Sequence, residues 1–168
     1  RIELSRGNYA KALDYFEKID PFWISRQSYY PYLQIRYNAP SVPFKRRDSR
    51  DLDADSISSP ESHNYRADLC RKLIYLKKTF QSTAGEAKAI AGYNYAAALF
   101  QASAQGDLWA LSDNCWSTTT PSDSLSRLAD RILAESVTYA ENPTLKGQIL
   151  FAKAGIRAPK PDDNYLPQ

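Results

Sequence analysis

The stretch from Glu86 to Leu111, EAKAIAGYNYAAALFQASAQGDLWAL, limits the fold more than any other part of the chain. Between Lys88 and Asp107 it carries no charge, and its apolar residues occupy every side of a helical wheel. A helix that is apolar all round is either central to a protein or inside a membrane. Asn94, Gln101, Ser103 and Gln105 interrupt the run, and Ala stands where a span would use Leu, Ile or Val. The pattern therefore predicts the central helix of a soluble helical domain. Gly92, Tyr95, Leu99, Ala102, Gly106 and Trp109 follow steps of three and four, which lines up small and large residues on an edge where partner helices approach closely.

The flanking sequence supplies those partners. Gly7 reads as a turn and Asn8 as an N-cap, followed by a helix with Tyr9, Ala12, Leu13 and Phe16 on one face. A further helix starts near Ser58, where Ser58 and Glu61 make a capping box around Pro60, and it buries Tyr65, Leu69, Leu73, Leu76 and Phe80. A second box, Thr83 with Glu86, opens the central helix. Beyond the polar turn after Asp113, Thr120, Pro121 and Asp123 start an amphipathic helix through Leu125, Leu128, Ala129, Ile132, Leu133 and Ser136 to about Ala140. Asn142-Pro143 then begins a last helix with Leu145, Ile149, Ala152 and Ile156 inward. The fold class is all-α, built of antiparallel helical hairpins in a single domain over residues 1–156. A mobile loop at about 45–60 and a Pro-rich tail over 157–168 complete the chain.

A chain of 168 residues buries a core without staples. Its 22 basic against 19 acidic residues give +3, too balanced to imply nucleic acid or an anionic membrane as partner. Met is absent and residue 1 is Arg, which points to a piece of a longer chain or to missing residues. Cys70 and Cys115, with His63 the only histidine, cannot form a structural zinc site, so they are either small core residues or a disulfide in an oxidising compartment.

Gly7, Tyr9, Ala12 and Phe16, followed by Asp20-Pro21, resemble the second helix of a tetratricopeptide repeat. The resemblance implies hairpins stacked as a tetratricopeptide-like array. The segment Tyr93 to Trp116, with Gly106, Trp109, Ala110 and Leu111, is similar to uncharacterised tetratricopeptide-like lipoproteins and surface proteins of Bacteroidetes, over most of the chain from Tyr65 to Ile156. That likeness implies export to the periplasm or outer-membrane surface, with membrane contact only through a lipid anchor outside this chain. It carries over no catalytic residue.

No phosphate-cradling glycine loop and no nucleophile elbow is present, and the single histidine removes most triads and every multi-histidine metal site. We expect no enzyme, no cofactor and no metal. His63, at a helix start, reads as a surface or capping residue. Phe22 to Phe44 is dense in aromatics broken by Pro31, Pro40 and Pro43; these rings either pack onto neighbours or present a stacking surface. Because this segment adjoins the polar loop, Trp23, Tyr29, Tyr30 and Tyr32 are the expected ligand contacts, with Arg36 as a charged partner. The expected function is a non-enzymatic scaffold that binds a protein or peptide in the groove of stacked hairpins. The alternative is a glycan-binding envelope protein, since exported Bacteroidetes proteins of the resembling kind include starch-utilisation binders and aromatic faces suit sugar rings.

Overall fold

The computed structural model describes residues 2–27, 30–38, 42–46, 63–112 and 124–158, the side chains of Pro31 and Tyr32 excepted. Among the described residues all regular structure is helical: α1 (Ile2–Ser5), α2 (Tyr9–Glu17), α3 (Pro21–Ser25), α4 (Tyr30–Asn38), α5 (Tyr65–Ser82), α6 (Gly85–Gln101), a 3-10 turn (Trp109–Leu111), α7 (Ser124–Ser136) and α8 (Pro143–Arg157). Arg46 and Gly106 add one isolated antiparallel bridge. Helices pack in succession, α2 on α5, α5 on α6, α6 on α7 and α7 on α8, while α4 lies against α3 and α5. The expected caps at Ser58, Glu61, Thr120, Pro121 and Asp123, most of the loop at 45–60 and the tail beyond 158 lie outside the described residues.

Helix α2 buries Tyr9, Ala12 and Phe16, the positions that its spacing singles out. Tyr9 meets α6 through a buried 2.7 Å hydrogen bond between its hydroxyl and that of Tyr95. Gly7 sits at φ 78°, the left-handed conformation that glycine adopts without strain and that ends α1. Asn8 occupies the N-cap position but does not cap with its side chain, which instead donates to Glu3 Oε2 at 2.8 Å.

Helix α6 is the deepest, with Ala89, Gly92, Tyr95, Ala96, Leu99 and Phe100 all buried. A Cβ on Gly92 would run into the Ser136 hydroxyl and the Phe80 ring, so this glycine lets α7 and α5 close on α6. The helix is shorter than its apolar pattern predicts: it ends at Gln101 instead of continuing to Leu111. The chain folds back there, with the Leu108 amide donating to the Gln101 carbonyl at 2.8 Å. Only glycine fits at 106, where a Cβ would overlap the carbonyls of Phe100 and Gln101. Buried Gln101 ties the reversal down by donating to the Val42 carbonyl at 2.6 Å and accepting from the Asp107 amide at 3.3 Å.

Two caps differ from expectation. Asn64 caps α5, accepting from the Ala67 amide at 3.1 Å. The box of Thr83 and Glu86 does not form, because Thr83 closes α5 by donating back to the Thr79 carbonyl at 2.8 Å. Glu86 instead accepts from the amides of Glu141 at 2.5 Å and Asn142 at 3.3 Å, holding the α7–α8 turn. Orphan amides at a helix start take whichever carboxylate reaches them, local or not. Helix α7 stops at Ser136, short of Ala140, and Asn142 caps α8 as its sequence predicts, accepting from the Thr144 amide at 2.8 Å.

Candidate binding groove

The aromatic segment turns mostly inward. Tyr30 is 0% exposed, and its hydroxyl both accepts from the His63 amide and donates to the His63 carbonyl, each at 2.9 Å. Its ring joins Tyr65, which also meets Tyr37 and His63 at 4.7 Å between centroids. Tyr30 therefore cannot touch a ligand at the surface; it fastens α4 to the start of α5. Arg36 is also committed to the fold, its side chain 12% exposed and 3.5 Å from Asp107 Oδ2, which Lys45 also approaches at 3.5 Å. Trp23 alone of the expected contacts is seen to face solvent, at 55% exposure beside Phe22 at 58%, over whose ring the Arg26 guanidinium lies at 5.0 Å. Tyr29 and the side chain of Tyr32 lie outside the described residues.

Phe44 packs on Tyr93 and Phe100 at 5.3 and 5.7 Å between centroids. Its φ of 59° is unusual for a bulky residue, a local strain offset by that packing and by the Gln101 bond to Val42. His63 has the surface role its position suggests, contacting Asp68 through Nε2. Cys70 is a free, fully buried thiol, and burial pushes its pKa up to about 11. Cys115 lies outside the described residues.

A cavity of about 600 Å³ opens instead between α7 and the end of α8, lined by Ser126, Arg127, Asp130 and Arg131 from α7, Ile156 and Arg157 from α8, and Gln105 from the reversal after α6. Helix α7 is amphipathic, and sinking Leu125, Ala129 and Leu133 into the core turns Arg127 and Arg131 outward. Asp130 is held from α8: Arg157 donates to both its carboxylate oxygens at 3.1 and 2.7 Å, and Lys153 at 3.1 Å. Burial works against ionisation of Asp130, but these hydrogen bonds and charges outweigh it and hold the carboxyl below its ordinary value. Gln105 donates to the Ser126 hydroxyl at 3.2 Å, joining the reversal after α6 to the first turn of α7. The result is a cleft of mixed polarity with a cationic rim, suited to holding a polar ligand.

Sequence reasoning passed over Arg127, Arg131 and Arg157 because a basic residue on an amphipathic helix ordinarily belongs to its wet face. Among the described residues no cluster of His, Cys, Asp and Glu is placed to hold a metal, and no helix is long and apolar enough to cross a membrane. The chain matches no protein-family model, no curated protein and no solved structure.

Proposed function

We propose that the protein is a non-enzymatic helical scaffold that binds a protein or peptide partner in the α7–α8 groove. The observation that carries this reading is the groove itself, about 600 Å³ with polar, cationic and apolar walls on two helices fixed by the core. We read the hairpins as a tetratricopeptide-like array; burial of Tyr9, Ala12 and Phe16 and the successive packing of α2, α5, α6, α7 and α8 support that reading. The likeness to Bacteroidetes envelope proteins is the ground for proposing the periplasm or outer-membrane surface as its location. Panning a random peptide library on the immobilised protein tests the scaffold: recovered peptides should bind in solution and protect α7 and the end of α8 from hydrogen exchange. Failure to recover any binder counts against it.

Glycan binding is a second reading, favoured by the exposed pair Phe22 and Trp23 on α3. Aromatic faces of this kind stack on sugar rings. A glycan array should then give binding that Trp23→Ala abolishes while thermal stability holds; an array without hits removes the reading.

A further inference from the structure

Charge on α7 is sorted by direction. Its acids reach across to neighbouring helices, Glu135 to Lys88 on α6 at 2.9 Å and Asp130 to Lys153 and Arg157 on α8 at 3.1 and 2.7 Å. An ordinary solvated helix face pairs its bases with acids three or four positions away. Here Asp130 and Glu135 stand at that spacing from Arg127 and Arg131 but are drawn elsewhere. Arg127 and Arg131, one turn apart, make no hydrogen bond or ion pair among the described residues. Both line the groove.

Two features that would repel an anion from this place are neutralised. The Asp130 carboxylate is matched by two cations, so Arg127 and Arg131 leave the groove with an excess of positive charge. At the end of α8, the negative pole of that helix, Arg46 donates to the carbonyls of Gly155 at 2.6 Å and, just past the helix, Ala158 at 2.7 Å.

Residues four apart on a helix hold their Cβ atoms about 5–6 Å apart. Alternate side chains on one side of an extended peptide lie roughly 6.5–7 Å apart, a difference that two long side chains absorb. Each guanidinium fork matches one carboxylate with two parallel hydrogen bonds. The groove is larger than a single small anion requires, and Ile156 gives its wall an apolar surface for the methylenes of an acidic side chain.

Resting on the assignment of the groove as a peptide site, we propose that its ligand is an acidic segment in extended conformation, with carboxylates at alternate positions clamped by Arg127 and Arg131. The test is fluorescence anisotropy on the full chain with a labelled peptide of alternating Glu and Ala, beside its Gln-for-Glu twin. The Glu peptide should bind at least about tenfold more tightly than the Gln twin, a difference of about 1.4 kcal/mol. Arg127→Gln with Arg131→Gln should lose that advantage, and Arg127→Lys with Arg131→Lys should lose several-fold because an ammonium lacks the fork. Circular dichroism melts of these variants should match the unaltered protein, separating lost binding from lost fold. Equal affinity for the two peptides, wild-type affinity in either double variant, or displacement of the Glu peptide by equimolar inorganic phosphate overturns the proposal. A panned neutral peptide that protects the groove and binds both double variants as well as the unaltered protein overturns the acidic ligand but leaves the scaffold reading standing. If neither panned nor acidic peptides bind, both readings fail.

Discussion

The aromatic segment of α3 and α4 and the α7–α8 groove have exchanged the roles that their compositions suggest. The first is rich in rings of the kind that often make binding platforms, yet Tyr30 is sealed against Tyr65, and Phe44 lies on Tyr93 and Phe100. The second reads as an ordinary amphipathic hairpin, yet it surrounds a cavity with arginines whose natural partners are occupied elsewhere. Aromatic density reports the demand for burial, because a large ring gains more from the core than from any single contact at the surface. Charge left over after a helix has met its neighbours is the better pointer to a ligand, since the fold has no structural use for it.

The largest effect that can break this contrast is at Tyr30. Tyr30→Ala should lower unfolding free energy by about 3–5 kcal/mol, as other large buried rings do. Trp23→Ala, on the exposed side of the same segment, should change it by no more than about 0.5 kcal/mol. Urea denaturation of both variants decides the matter; similar losses would mean that α3 is as much core as α4. Next is the face of α6 under α7 and α5, where Gly92→Ala should cost roughly 1–3 kcal/mol through overpacking, although Ala is the better helix former. Gly147 on α8 meets nothing within 4 Å of an added Cβ. Gly147→Ala should therefore gain about 0.5–1 kcal/mol, and a loss there would show that α8 has a close neighbour on that side.

Asp130 gives a pH test of the same region. Its folded pKa is lowered from 3.8, so its stabilising contribution is complete above that value and is lost as the pH falls through the lowered one. The stability difference between the unaltered protein and Asp130→Asn should shrink on acidification below about pH 4, followed by urea midpoints across the acid limb. A difference that stays constant would mean that Lys153 and Arg157 do not hold the carboxylate. The smallest effect expected is on stability in the doubly substituted protein with Arg127→Gln and Arg131→Gln, within about 0.5 kcal/mol of the original. A clear loss would place those arginines among the structural residues, with Arg36.

Much of the helical frame was legible in the sequence because three-and-four spacing follows directly from helix geometry, as at Tyr9, Ala12 and Phe16 or Leu125, Ala129 and Leu133. The break after Gln101 was not, because a buried reversal and a buried helix are equally apolar. Its local signs were Gly106 and the polar residues Gln101, Ser103 and Gln105. Glu86 stands at the spacing that caps the nearest helix start but serves a distant one, since capping is satisfied in space and not along the chain. The groove was hidden for the same reason. Whether Arg127 has a partner depends on where Asp130 points, and that is settled by Lys153 and Arg157 twenty or more residues away.

The contrast between the two regions is tested most directly by mapping where an acidic peptide binds. Titrating the alternating Glu and Ala peptide into ¹⁵N-labelled protein and following amide shifts reports each helix separately. Shifts are expected along Ser126 to Arg131 and at Ile156 and Arg157, with Pro21–Ser25 unmoved. Shifts confined to α3, around Trp23, would contradict it and return the binding surface to the aromatic segment.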